Sequence, residues 1–140
     1  MKVFRNIAAL IVGWLAGSAV NMSLVTIGPM FVPLPKGVNP QDMEAYAEIS
    51  STLGDEHFIF PFLAHALGTL VGAAVAYLIA ASRKNLFAWI VGAFFFLGGI
   101  MVNYMIPGPV WFTVADLALA YFPMAFLGIK LGKSLQRKPS

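Results

Sequence analysis

The chain has 140 residues, of which 59% are hydrophobic and 11% charged, with a formal net charge of +3. A soluble domain carries about 25% charged residues, so this composition excludes an ordinary soluble fold and leaves no room for a separate soluble domain beside the apolar runs. With no cysteine there is no disulfide, thiolate metal site or thiol nucleophile. The excess positive charge sits in three short segments without interleaved aromatics, which suits membrane orientation and anionic headgroups and argues against nucleic acid as a partner.

Four apolar stretches of spanning length predict an all-α integral membrane protein, a four-helix transmembrane bundle forming one domain over residues 1–140. The first span is expected at about residues 4–27, ending before Gly28 and Pro29. Lys2 and Arg5 ahead of an apolar run, with Ala16-Gly17-Ser18-Ala19 within it, also fit a signal peptide, but the run continues well past Ala19 and favours an uncleaved span.

Residues 28–57 form the only long connection. It starts with Pro29, Pro33 and Pro35, and then Asn39 as N-cap, Pro40 as first helical residue and Asp42 and Glu44 in the first turn predict a short amphipathic helix over about 40–53, with Gly54 as its stop. Met43, Tyr46, Ala47 and Leu53 would face the bundle, and the helix would lie across its mouth as a lid or rest on the headgroups. The second span (about 58–81) carries Pro61 in its first turn. The third (about 86–106) and fourth (about 110–130) are joined by a tight Pro107-Gly108-Pro109 turn, and Pro123 should kink the fourth. Trp89, Trp111 and Phe112 fit interfacial anchors, and Lys130 can snorkel to the surface.

Eight of the nine basic residues, all but Lys36, lie beside one end of these spans, whereas Asp42, Glu44, Glu48, Asp55 and Glu56 lie at the other. Positive loops stay inside, which predicts a multi-pass protein of the cell (inner, cytoplasmic) membrane with both termini cytoplasmic and residues 28–57 extracytoplasmic.

Polar groups within spans are costly and mark candidate sites. Counted from the outer ends, Asn21 lies about 9 Å deep, His65 about 10 Å, Asn103 about 5 Å and Asp116 about 9 Å. Asn21 continues the stripe of Gly13 and Gly17, His65 shares a face with Gly68 and Gly72, and Asn103 follows Gly92, Phe96 and Gly99. Small residues mark close helix contacts, so the polar set should converge on a polar cavity open to the outside. His65 and Asp116 could pair as a ligand site, as a proton relay, or simply as a hydrogen bond between spans.

No catalytic residue stands out. His57 and His65 are too far apart to share a metal, and Asp55, Glu56 and His57 form at most a surface cation site, so no metal and no cofactor is expected. No nucleophile elbow, P-loop or dinucleotide fingerprint occurs in a usable context.

From His57 to Ala73 (HFIFPFLAHALGTLVGA) and from Ile106 to Gly128 (IPGPVWFTVADLALAYFPMAFLG) the sequence resembles uncharacterised small bacterial four-span membrane proteins of about this length. The resemblance implies four helices and a bacterial source, and brings no activity, ligand or catalytic residue. The residues themselves point first to a non-enzymatic membrane protein, either binding a small or lipid-like ligand in the outer cavity or serving as an accessory subunit that packs in a larger complex or self-associates. A small transporter or proton-coupled channel using His65 and Asp116 is the alternative, and a membrane enzyme acting on a lipid headgroup the third.

Overall fold

The computed structural model describes residues 1–137, so Lys138, the last basic residue of the fourth segment, lies outside the described residues. The described chain is helical with no strand: α1 (Lys2–Phe31), α2 (Met43–Ser50), a 3₁₀ turn (Asp55–Phe58), α3 (Ile59–Ile79), α4 (Lys84–Met105), α5 (Val110–Leu119) and α6 (Phe122–Gln136). Four helical units are long and apolar enough to cross a membrane: α1, the 3₁₀ turn with α3, α4, and α5 with α6.

α3 is the central helix, because its sequence is small wherever a neighbour approaches. Ala64, Ala66, Gly68, Thr69, Gly72, Ala73, Ala74 and Ala76 are buried, and α1, α4 and α6 all pack on it. Its crossing with α1 brings backbone to backbone. A Cβ placed on Gly13 would lie 2.8 Å from Gly72 O, and one on Gly68 would lie 2.9 Å from Gly17 O. Gly13 faces Gly72 while Gly17 faces Gly68, so the helices run antiparallel. On the opposite side Gly128 of α6 meets the backbone of α3 at Leu70, and Gly132 meets Tyr77. These small-residue stripes therefore serve contacts within one chain. The large side chains point the other way: Ile7, Ile11, Leu15, Phe94, Leu97, Met101, Phe126 and Leu127 are exposed. That inverts the usual distribution of soluble proteins, where bulk is buried.

At the end of the bundle where α1 begins and α6 ends, α3 finishes with carbonyls that no helical N–H can reach. Arg5 of α1 donates to Ile79 O (3.0 Å), Lys84 of α4 lies 3.4 Å from Tyr77 O, and Gln136 of α6 donates to Leu78 O (3.3 Å). Three helices thus cap the same terminus, with cations where the helix dipole is negative. Asn6 accepts from the backbone of Ala81 and Ser82 and donates to Ser82 Oγ, holding the short turn in which Arg83 adopts a left-handed φ of 45°.

Three expected boundaries move. α1 runs through Gly28 and Pro29 to Phe31; a proline so near the end removes a single hydrogen bond, and Val32 N still reaches Gly28 O at 2.9 Å. The loop helix starts at Met43 with Asp42 as N-cap, accepting from Ala45 N at 3.1 Å, while Asn39 instead holds the preceding turn through Gln41 N. It also ends at Ser50, well before Gly54, and its inward face is Tyr46, Ala47 and Ser50, with Met43 exposed. The fourth span is broken rather than kinked. Its first half ends at Leu119 and its second starts at Phe122, which puts Pro123 in a first turn where no N–H is needed.

Candidate functional site

The break between α5 and α6 builds the polar centre. In a continuous helix, residues five apart project about 140° from each other, so Tyr121 could not reach back to Asp116. With the helix interrupted at Ala120 and Tyr121, the Tyr121 hydroxyl donates to Asp116 Oδ2 at 3.0 Å. The ring settles over Gly99 of α4, where any Cβ would collide with it, and meets Phe96 edge-on at 5.8 Å.

Asp116 is fully buried and takes three protein contacts. Besides Tyr121, Asn103 Nδ2 donates to Oδ2 at 2.8 Å, and His65 Nδ1 lies 2.8 Å from Oδ1. Asn103 is itself fixed: its amide hydrogens serve Asp116 and Gly99 O, and its Oδ1 accepts from Thr113 Oγ1 at 3.2 Å. Thr69, one turn below His65, donates to His65 O at 2.7 Å. Helices α3, α4, α5 and α6 are thereby joined through one carboxylate.

Of the four polar residues singled out within the apolar stretches of the sequence, the structure brings together His65, Asn103 and Asp116. Asn21 stays outside, with its Cβ at the Gly68 crossing and no hydrogen bond to the cluster among the described residues. His65 in turn faces α5, not the α1 crossing that Gly68 and Gly72 make. Tyr121, Thr113 and Thr69 were missed. Thr113 lies one turn before Asp116 on the same helical face, a signal available in the sequence; Tyr121 depends on the break and gave none.

Above the cluster, at the end of the bundle covered by residues 32–58, lies a cavity of about 120 Å³. Its walls are apolar and come from every side: Val25 and Pro29 of α1, Tyr46 of α2, Phe58 and Phe60, Val102 and Ile106 of α4, and Phe112 of α5. His65 and Asn103 are the polar residues of its deep end, and Asp116 is sealed behind them. The expected polar cavity is therefore an apolar one with a small polar floor, because the loop folds its own prolines and aromatics over the mouth. His65 is the hinge between the two compartments, with a side chain 12% exposed. Its Nδ1 is held by Asp116, and among the described residues no protein group bonds Nε2. A carboxylate on one nitrogen sets the tautomer and ring orientation and leaves the other nitrogen to act in the cavity.

The covering loop is tied down at several points. Trp111 Nε1 donates to Asp55 Oδ1 at 2.9 Å, Gln41 Nε2 to Thr26 Oγ1 at 3.0 Å, and Ser50 Oγ lies 2.9 Å from Pro107 O. Tyr46 is half-buried on the cavity wall, and burial pushes its phenol above the ordinary value. His57 sits between two carbonyls, Nδ1 3.2 Å from Gly54 O and Nε2 3.2 Å from Pro33 O, with Glu56 Oε1 3.5 Å from Nδ1. Gly54 O also accepts from the His57 backbone N–H at 3.1 Å. Asp55 thus turns to Trp111 while Glu56 stays beside His57, and among the described residues no group of three or more His, Cys, Asp or Glu converges as a metal site would require.

No protein-family model matches the chain, and comparison with curated proteins and with solved structures finds no match either.

Proposed function

We propose that the protein crosses a cell membrane four times, with both termini cytoplasmic, and binds a small lipid-soluble ligand in the cavity under the loop, without performing chemistry on it. The observation that carries this reading is His65: one nitrogen is clamped by a fully buried carboxylate and the other is left to an apolar cavity. Binding sites combine mostly apolar walls with a few fixed polar groups in this way.

Translocation is less well supported. The hydrogen-bonded cluster reaches down only to Tyr121 and Thr69, and the α3 face below it, towards Asn6, is lined by Gly72, Ala73 and Ala76. A proton path needs polar groups at short intervals. Covalent catalysis by an aliphatic hydroxyl or a thiol has no support, since the residues lining the cavity include no serine, threonine or cysteine.

The orientation is supported by Arg5, Arg83, Lys84 and Lys133, which gather at the end where α1 begins and α6 ends and have no carboxylate partner among the described residues. Short basic segments are retained on the cytoplasmic side. Single cysteines at the exposed Ser51 and Ser134 should therefore react with a membrane-impermeant maleimide from opposite sides, in a chain free of native cysteine. Reaction of both in intact cells would overturn the topology.

For the ligand, Val102→Trp should fill the cavity without touching the cluster. Mass spectrometry of protein purified in mild detergent should find a small molecule with the wild type that is lost from Val102→Trp and kept by Leu135→Ala, an exposed site far from the cavity. The same molecules on all three would remove the cavity from the account.

A further inference from the structure

The size and walls of the cavity, with one nitrogen at its floor, narrow the ligand class. The wall segments are short: Val25 to Val32 on α1, Phe60 to His65 on α3 and Val102 to Ile106 on α4, which is about one to two helical turns each, or roughly 6–10 Å. The mouth beside α2 and the Phe58 turn is partly open, but an extended acyl chain of sixteen carbons is longer than any of these walls. The scale is that of a single six-membered ring: a dry apolar cavity of about 150 Å³ takes benzene, and this one, open on one side, measures about 120 Å³. The walls are also flat and stiff. Phe58, Phe60, Phe112 and Tyr46 supply aromatic faces, and Pro29, Pro40 and Pro61 supply rings that cannot change rotamer far. Such walls suit a planar guest stacked or met edge-on.

The floor sets the polar group. Asn103 has no hydrogen to give a guest, because both amide hydrogens are engaged within the protein, and its oxygen, already accepting from Thr113, keeps one lone pair that a donor could meet. Asp116 is enclosed, and the Tyr121 hydroxyl is given to it. At the deep end His65 Nε2 is the one group with no protein partner among the described residues, while the other polar residues of the lining, Tyr46 and His57, belong to the covering loop. A hydroxyl answers that point in either state of the ring. It donates to the lone pair of neutral imidazole and accepts from the N–H of imidazolium, whereas a carbonyl can do only the second.

We infer that the ligand is an aromatic ring bearing a hydroxyl, a phenol or hydroquinone head, seated with its oxygen on His65 Nε2. The inference rests on the binding reading above and names its ligand class. It is tested on the full chain in phosphatidylcholine nanodiscs with three probes: para-fluorophenol and fluorobenzene followed by fluorine NMR, and hexanol as a competitor, all corrected for empty discs. Para-fluorophenol should bind about tenfold more tightly than fluorobenzene, the worth of one good hydrogen bond, and hexanol should displace it only at about tenfold higher concentration or above. In His65→Leu the advantage of the hydroxyl should vanish while fluorobenzene still binds. Because that variant leaves Asp116 without one contact, the same readout is taken in His65→Leu/Asp116→Leu, which removes the buried carboxylate as well. Hexanol competing as well as the phenol, or a hydroxyl advantage that survives in the double variant, overturns the ring-hydroxyl assignment. If hexanol binding is nevertheless abolished by Val102→Trp, the cavity reading stands without it. If no probe responds to Val102→Trp, both readings fall.

Discussion

Gly72→Leu should separate α1 from α3 and cost about 3 kcal/mol or more of bundle stability, at the upper end of what overpacking costs. The reason is what surrounds the glycine. A Cβ there would lie 2.9 Å from Gly13 O, 2.9 Å from Phe95 Cε2 and 3.2 Å from Val91 Cγ1. Phe95 can swing aside, but a backbone carbonyl cannot, so the only relief is to move a whole helix. Without a hydrophobic drive between helices in lipid, close backbone packing is what holds such a pair together, and its loss is not easily replaced. The internal control is Gly98→Leu on α4. Gly98 is exposed, a Cβ on it meets nothing within 4 Å, and leucine is the better helix former, by up to about 1 kcal/mol. Reversible unfolding in mixed detergent should show a large loss for the first variant and none for the second. Equal stability of Gly72→Leu and wild type would mean that the α1 and α3 crossing is not as described.

This contrast was partly legible in the amino-acid order. Small residues at four-residue spacing marked Gly13, Gly17, Gly68 and Gly72 as contact positions, because only small side chains let helices meet so closely. The partner of each stripe was not legible. Asn21 shows the consequence: it does continue the Gly13 and Gly17 stripe, and for that reason it faces Gly68 of α3 instead of the carboxylate, which approaches α3 from another side. A depth count places residues along the membrane normal and leaves the angular arrangement of helices open.

Two local errors have a common physical source. Asn39 and Asp42 are both good N-caps, and the chain uses both, one for a turn and one for the helix. Proline signals a discontinuity without giving its form. Pro29 is absorbed at the end of α1, whereas Pro123 shifts the break upstream to Ala120 and Tyr121, since it has no N–H to give and its ring crowds the carbonyl four residues back. From that displaced break comes the Tyr121 contact, which spacing along an unbroken helix would have forbidden. A helix within the long loop was visible in the sequence, but the apolar character of the space beside it depends on where Phe58, Phe112 and the prolines turn once the chain has closed on itself.

The sharpest expectation concerns the pair at the floor of that cavity. Asp116 is the common acceptor for His65, Asn103 and Tyr121, drawn from α3, α4 and the break before α6. Asp116→Leu strips all three of their partner at once. Asn103 keeps its bond to Gly99 O, but the Tyr121 hydroxyl and His65 Nδ1 are left in apolar surroundings. His65→Leu removes one of three contacts and leaves a buried carboxylate with two donors. Breaking one side of a buried charged pair costs about 3–5 kcal/mol in soluble proteins, whereas single hydrogen bonds within membrane bundles average nearer 0.6 kcal/mol. A carboxylate with no exposure belongs closer to the first figure, so Asp116→Leu should cost about 3 kcal/mol and His65→Leu about 2 kcal/mol. The double variant removes the charge and its partner together and puts leucine where each stood, so it should cost less than the sum by about 1–3 kcal/mol, the range found for directly coupled residues. Unfolding of the wild type, both single variants and the double variant in one detergent closes the cycle. Additivity within about 0.5 kcal/mol would show that the two side chains act independently, and the arrangement that gives His65 its single free nitrogen would lose its basis.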